Sequence, residues 1–157
     1  MRTTLLCLVF LSAAAIAPSA GAAGDPNFPP PMASAPADPD YENGRKAVET
    51  KDWKAAVGYF GRSVARDPKN ANAQNYLGYS YRKSGNLDMA FKHYEEALRL
   101  DPGHRGAHEY LGEAYLIVNN LPKAEEHLKA LDRICFFSCE EYRDLKQAVE
   151  EHKRVKK

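Results

Sequence analysis

The chain has 157 residues, of which 44% are apolar and 27% charged, and this is the composition of one globular domain of ordinary size. A large multidomain enzyme is excluded by the length. Lysine and arginine number 22 against 21 aspartate and glutamate residues, whereas a nucleic-acid binder usually carries a strong basic excess. Three cysteines are too few for a disulfide-rich miniprotein or for a zinc site made of four cysteines.

The first 23 residues have the pattern of a secretory signal peptide. Arg2 is followed by an apolar run at 5–17 and then by small residues that end at Ala22 and Ala23. The apolar run is shorter than the roughly 20 residues that span a bilayer. We therefore expect export, with cleavage after Ala22 or Ala23 and no membrane span in the mature chain.

Residues 24–39 form a segment rich in proline and alanine, with six of the ten prolines of the chain. Proline lacks the backbone donor that helices and sheets need, so the segment predicts a disordered or polyproline-like linker. Its simplest role is to separate the cleavage site from the folded domain.

Three glycines stand at intervals of 34 residues, at positions 44, 78 and 112. Each lies in a helical pattern, where glycine costs about 1 kcal/mol relative to alanine. The same interval relates Ala56, Ala90 and Ala124, then Phe60, Tyr94 and Leu128, then Pro68 and Pro102. Because this unfavourable glycine recurs at a fixed interval, the same packing requirement is expected to recur in each unit. We interpret the small residues as places where paired helices approach closely.

Proline and turn residues divide the chain into six repeat helices. Pro68 and Pro102 each follow an aspartate and disfavour continuation of a helix, and the sequence 83–86 has the composition of a turn. The predicted helices cover 40–50, 53–66, 71–83, 87–100, 105–118 and 121–134.

This pattern resembles the tetratricopeptide repeat (TPR) family, whose unit is a helix-turn-helix of 34 residues. The best copy has Leu77, Gly78, Tyr81, Ala90, Tyr94, Ala97 and Pro102 in the places that the family prefers. The resemblance implies an all-α fold, a right-handed α-solenoid of three repeats at 37–70, 71–104 and 105–138. The first unit departs at Asn43 and Ala47 and the third at Phe136, and terminal repeats are expected to be atypical because one face has no neighbour.

A capping helix is expected to follow the third repeat, at 139–157 with a basic tail. Tyr142, Leu145, Val149 and His152 stand at helical spacing with charged residues between them. Such a stripe suits a helix that closes a solenoid, and Ser138 is the predicted N-cap residue.

The resemblance also implies a binding surface, because the first helix of each TPR unit lines a concave groove that holds peptides or protein segments. The groove positions of this chain are Tyr41, Arg45, Asn72, Asn75, Tyr79, Arg82, Glu109 and Glu113. Family members that grip a C-terminal carboxylate have lysine and asparagine in the first unit of the groove. This chain has Tyr41 and Arg45 there, so that activity is not carried over.

Cys135 and Cys139 enclose the sequence Phe-Phe-Ser between the last repeat helix and the capping helix. In an exported protein we expect a disulfide, which would close a short loop and contribute only about 2 kcal/mol. The alternative is a copper or thiol-redox site, because two thiolates four residues apart are suitable soft ligands for Cu(I).

No other motif indicates a cofactor, a metal or an enzymatic reaction. His104 and His108 are four apart, but Pro102 and Gly103 start the helix too late for both to form a metal site on one face. A nucleophile elbow, a phosphate-binding glycine loop and a zinc-protease motif are all missing from the sequence. We therefore expect no enzyme activity.

The run from Ala73 to Gly85, together with the cysteine pair, resembles a group of small exported TPR proteins of Gram-negative bacteria that have a C-terminal CxxxC. The resemblance implies a periplasmic or secreted location. The favoured function is an adaptor or scaffold that binds a protein or peptide segment in its groove. The alternative is a metal-handling or thiol-redox accessory protein that uses Cys135 and Cys139.

Overall fold

The computed structural model describes residues 38–156, so the predicted signal peptide and nearly all of the predicted linker lie outside the described residues. Residues 38–156 form seven α-helices and no strand. In chain order these are α1 (Pro39–Glu49), α2 (Trp53–Arg66), α3 (Ala71–Lys83), α4 (Leu87–Leu100), α5 (Arg105–Ile117), α6 (Leu121–Ile134) and α7 (Glu140–Val155). The six repeat helices begin and end within one residue of the predicted bounds.

The helices pack as three successive pairs. We call α1, α3 and α5 the A helices and α2, α4 and α6 the B helices, and each A helix packs most extensively on the B helix that follows it. Each B helix also packs on the next A helix, and α3 touches α5 directly. Helix α7 packs on α5 and α6, and more extensively on α5. The described residues therefore form an all-α repeat solenoid with a capping helix.

Side chains of aspartate, asparagine and histidine fix where six of the helices begin. Each accepts a hydrogen bond from a backbone N–H of the first helical turn, which satisfies a donor that has no partner within the helix. These N-cap residues are Asp38, Asp52, Asn70, Asn86, His104 and Asn120. Asp38 explains why α1 begins at Pro39, one residue before the predicted start.

The three turns between an A helix and its B helix share one backbone conformation. Lys51, Gly85 and Asn119 have φ of 58°, 86° and 60°, and they are related by the 34-residue interval. Only glycine adopts this left-handed region without steric cost, so the turn is unstrained in the second repeat alone. The same turn geometry therefore recurs in all three repeats, but only Gly85 adopts it without steric cost.

Large aromatic rings explain two of the regularly spaced glycines. A Cβ atom on Gly78 would lie 2.8 Å from the ring of Tyr94 and 3.2 Å from the carbonyl oxygen of Ala90. Likewise, a Cβ atom on Gly44 would lie 2.7 Å from the ring of Phe60. Both rings are completely buried. The glycines therefore make room for an aromatic side chain of the paired B helix, in addition to the predicted close approach of the backbones.

In the third repeat, the side chain that packs over the regularly spaced glycine comes from a different helix. Leu128 occupies the position of Phe60 and Tyr94 but is only partly buried. A Cβ atom on Gly112 would instead lie 2.6 Å from Leu145, a completely buried residue of α7. The capping helix therefore supplies the side chain that covers the last A helix.

The start of α7 differs from the prediction. Its N-cap residue is Cys139 rather than Ser138, and no side chain accepts a hydrogen bond there. The two acidic residues at 140 and 141 lie in the first turn, where negative charge favours the helix. Among the described residues, no helix has the length and apolar character needed to cross a membrane.

Candidate functional site

A polar pocket of about 390 Å³ lies between the A helices α3 and α5 and extends to α7. Its lining residues come from both A helices, from the loop before α5 and from the first turn of α7. They are Asn72, Asn75, Tyr76, Asp101, Gly103, His104, Arg105, Gly106, Glu109, Tyr110 and Glu141. Three of the eight predicted groove residues, Asn72, Asn75 and Glu109, thus meet in one pocket.

Asn72 and His104 form the outer wall of this pocket. The Nδ1 atom of His104 accepts a hydrogen bond from the backbone N–H of Ala107 at 3.1 Å and thereby caps α5. The proton of the neutral ring is therefore on Nε2, which donates to Oδ1 of Asn72 at 3.1 Å. Burial lowers the pKa of His104, in agreement with a neutral ring. This pair links the first turn of α3 to the start of α5.

Asn75 and Glu109 lie deeper in the pocket and make no side-chain hydrogen bond within residues 38–156. Asn75 is 4% exposed, and its Oδ1 is buried without a partner. Glu109 is 8% exposed, and burial raises the pKa of its carboxyl group to about 8, with a further contribution from Glu113, Asp144 and Glu141. The pocket therefore contains two buried polar side chains without hydrogen bonds among the described residues, and Oδ1 of Asn75 is also closed off from solvent.

Arg82 and Glu113 form an ion pair beside Tyr110, which is one of the pocket residues. An Nη atom of Arg82 lies 2.6 Å from a carboxylate oxygen of Glu113, and the Arg82 side chain is only 10% exposed. The guanidinium also donates to the hydroxyl of Tyr94 at 3.3 Å and lies over the rings of Tyr79 and Tyr110. Both predicted groove residues are thus already paired with each other inside the fold.

Tyr79 continues the groove from the pocket toward α2. Its ring lies 4.8 Å from that of Tyr110 and 6.0 Å from that of Trp53, measured between centroids. Burial raises the pKa of Tyr79, so the phenol stays protonated. Tyr79 therefore offers a partly buried ring surface and a neutral hydroxyl.

The two predicted groove residues of α1 lie apart from the pocket. Tyr41 packs edge-on against the rings of Phe60 and Tyr76, at centroid distances of 5.7 Å in both cases. Arg45 is exposed and has one loose ion pair, 3.9 Å from Glu42. Tyr41 is thus a packing residue of the first repeat, and neither residue lines the pocket.

Several pocket residues were not predicted from the sequence. Tyr76 and Tyr110 stand on the A helices beside predicted residues, and a wider set of groove positions would have included them. Arg105 pairs with Glu141 at 3.6 Å, but Glu141 belongs to α7, outside the repeat frame. The 34-residue interval carries no signal for such a residue.

His108 pairs with a histidine of α6 rather than with His104. Its Nε2 donates to the carbonyl of Pro102 at 3.1 Å, and its Nδ1 lies 2.9 Å from Nδ1 of His127. Burial, with a smaller effect of His108, lowers the pKa of His127 to about 4. The described residues contain no group of three or more His, Cys, Asp or Glu side chains placed to hold a metal ion.

Cys135 and Cys139 lie at the junction of α6 and α7, and their Sγ atoms are 2.06 Å apart. The two phenylalanines between them, Phe136 and Phe137, are 92% and 87% exposed. Neither cysteine lines the pocket. The cysteine pair and the pocket are therefore two separate features of the surface.

Comparison with known proteins yields two family matches, both to models described as tetratricopeptide repeat. They cover residues 41–105 and 81–149, which together make up more than half of the chain. Among curated proteins, none matches the sequence.

Solved structures with this fold include the TPR2B domain of yeast Sti1 in a complex with an Hsp70 peptide. It is 19% identical, covers 74% of this chain and 94% of its own, and superposes with a TM-score of 0.68. The type III secretion translocator chaperone SycD of Yersinia enterocolitica has 18% identity and a TM-score of 0.67, over 74% of this chain and 83% of its own. The second TPR domain of human RPAP3, in complex with the HSP70 peptide SGPTIEEVD, has 22% identity and a TM-score of 0.62, over 75% and 92%.

Proposed function

Because the chain belongs to the tetratricopeptide repeat family, we propose that it is a non-catalytic adaptor that binds an extended segment of another protein along its A helices. The observation that carries this proposal is the pocket between α3 and α5, which is lined by the buried side chains of Asn75 and Glu109; neither makes a hydrogen bond or ion pair among residues 38–156. Solved relatives of the same fold, yeast Sti1 and human RPAP3, are complexes with Hsp70 peptides.

The chemistry of the pocket suits an extended peptide. The amide groups of Asn72 and Asn75 each carry a donor and an acceptor, which match the N–H and C=O groups of a peptide backbone. The rings of Tyr79 and Tyr110 provide apolar surface for side chains, and aromatic residues are enriched where proteins bind one another. A bound segment would also supply partners for polar groups that are costly to leave buried and unpaired.

Selection of random peptides on the purified chain tests this proposal. We expect this selection to yield peptides that bind the wild-type chain. The same peptides should bind the double variant Asn72→Ala, Asn75→Ala at least about tenfold more weakly, because the loss of hydrogen bonds worth about 1.4 kcal/mol lowers affinity by that factor. The matched control is Lys92→Ala, an exposed position of α4 that does not line the pocket. Equal affinity for the wild-type chain and the double variant would refute binding in the groove.

We also propose that the adaptor works outside the cytoplasm, in the periplasm if the source is a Gram-negative bacterium. The support is the signal-peptide pattern of residues 1–23 and the cysteine pair, which suits an oxidising compartment. N-terminal sequencing of protein from the producing cell should begin at Ala23 or Gly24. A mature chain that still begins at the start of the leader would contradict this proposal.

A further inference from the structure

The floor of the pocket holds two buried polar side chains that make no hydrogen bond among residues 38–156. Glu109 and Asn75 are both more than nine-tenths buried and line the pocket, and no hydrogen bond or ion pair within residues 38–156 reaches either side chain. The Oδ1 atom of Asn75 is closed off from the pocket, and rotation of the amide by half a turn would leave the N–H2 group at that position without an acceptor. A ligand group that donates a hydrogen bond to Glu109 would give its carboxyl group a partner.

The charges around these residues favour a cation. The two nearby arginines are already paired, Arg82 with Glu113 and Arg105 with Glu141. Arg82 lowers the pKa of the Glu109 carboxyl group, but burial and the neighbouring acids outweigh this effect and raise that pKa to about 8, so the group is mostly protonated at neutral pH. A cation beside it would favour the ionised form.

The pocket walls suit the same kind of group. The rings of Tyr76 and Tyr110 line the pocket beside Glu109. Aromatic faces attract ammonium and guanidinium groups because the ring quadrupole is negative on its face. In this structure Tyr110 already lies 5.4 Å from the guanidinium carbon of Arg82.

We propose that this pocket holds the cationic side chain, lysine or arginine, of the bound segment, with Glu109 as its counter-ion and Asn75 and the tyrosine rings around it. The inference rests on the proposed function and specifies the chemistry of the partner. An acidic side chain or a terminal carboxylate would face the negative charges of Glu113, Asp144 and Glu141 that already disfavour ionisation of Glu109, and an apolar side chain would leave Glu109 without a hydrogen-bond partner. The pocket therefore selects for basic residues and against acidic ones.

The test uses peptides selected on the purified chain, synthesised with an acetylated N-terminus and an amidated C-terminus so that side chains carry the only positive charges. Each arginine is replaced in turn by citrulline and each lysine by norleucine, and affinity is measured by fluorescence anisotropy. One such replacement should weaken binding to the wild-type chain about tenfold or more, as expected for a charge-assisted pair. The same replacement should have little effect with Glu109→Gln, and its full effect with the matched variant Glu95→Gln at an exposed position of α4.

Three outcomes would overturn the inference, and they affect the proposed function differently. Selected peptides without enrichment in lysine or arginine would overturn the cation pocket and leave groove binding intact. The same holds if the replacement weakens binding equally with wild-type and Glu109→Gln. If no peptide binds the chain, both the inference and the proposed function fail.

Discussion

Burial of the Glu109 carboxyl group makes the stability of the fold depend on pH. The folded-state pKa is about 8 against an ordinary value of 4.5, so the folded chain keeps a proton that the unfolded chain releases. The stability linked to this group is therefore fully present below about pH 4.5 and is lost as the pH rises toward 8. At neutral pH and without a ligand, the buried Glu109 carboxyl group therefore lowers the free energy of unfolding.

Glu109→Gln should remove this dependence, because glutamine stays neutral at every pH. Relative to wild type, the variant should gain roughly 2 to 4 kcal/mol between pH 4.5 and pH 8, since each pKa unit corresponds to about 1.4 kcal/mol and solvent screening at the pocket reduces the full value. Urea unfolding of both proteins at the two pH values measures the gain, with Glu95→Gln as the control for the change of residue type. A difference between variant and wild type that is the same at both pH values would contradict the assignment.

The 34-residue repeat places side chains on the A helices but does not predict how deeply they are buried or what they contact. The helix period assigns Asn75 and Glu109 to the A helices. Their burial depends on how closely α5 and α7 approach each other, and this distance cannot be predicted from the spacing of residues along one helix. Arg82 illustrates the same point. Its position in the groove follows from the repeat, whereas its ion pair with Glu113 depends on the neighbouring repeat.

At the scale of the helices, the regular glycines and prolines explain why the predicted bounds are so close. Gly78, Ala90 and Pro102 each restrict the backbone or the space around it, and such restrictions can be read directly from residue type. The start of α7 was harder to predict because no side chain caps it. Glu141 was missed as a pocket residue for the related reason that α7 lies outside the 34-residue interval.

Gly78→Val tests the packing of a repeat pair. Its side chain would collide with the ring of Tyr94 and the carbonyl of Ala90, so we expect a loss of about 2 to 4 kcal/mol in the free energy of unfolding. Gly61→Ala is the matched control, because a Cβ atom there meets nothing within 4 Å and alanine favours the helix by up to about 1 kcal/mol. Thermal unfolding measures both. An unchanged melting temperature for Gly78→Val would show the repeat register to be wrong.

The cysteine pair is expected to fix the angle between α6 and α7 without contributing to binding. Replacement of Cys135 and Cys139 by serine should cost about 2 kcal/mol or less, because the cross-link spans only 4 positions of sequence. Peptide affinity should not change, since neither cysteine lines the pocket.

Thiol labelling distinguishes this structural role from the copper or redox alternative. Protein purified from the producing cell should label only after reduction. Quantitative labelling without reductant, or loss of function in the serine variant despite a native circular dichroism spectrum, would favour the alternative.

At the scale of the whole molecule, α7 is both the end of the solenoid and a wall of the pocket. Leu145 covers Gly112, and Glu141 lines the pocket. In a repeat protein, stability depends on the interfaces between neighbouring units, so a destabilised capping helix should also destabilise the repeat beside it. The capping helix therefore links the integrity of the third repeat to the binding surface.

Leu145→Ala tests this link. The side chain is completely buried, so its truncation should cost about 2 to 5 kcal/mol. Hydrogen exchange should show protection falling in α5, α6 and α7 before α1 and α2. Lys146→Ala, at the exposed neighbouring position, should change neither the free energy of unfolding nor the pattern of hydrogen exchange. A uniform loss of protection over all seven helices would contradict the nearest-neighbour account of the fold.

The most direct test of the central claim, that the A helices hold a segment of a partner protein, is site-specific photo-crosslinking in the producing cell. A p-benzoylphenylalanine residue is introduced at Arg45, an exposed groove position of α1 outside the pocket, or at Lys92, on the exposed surface of α4. We predict a discrete protein adduct from position 45 that is lost when Asn75→Ala and Glu109→Ala are added, and no such adduct from position 92. An adduct of equal yield from both positions, or one from position 92 alone, would contradict the account.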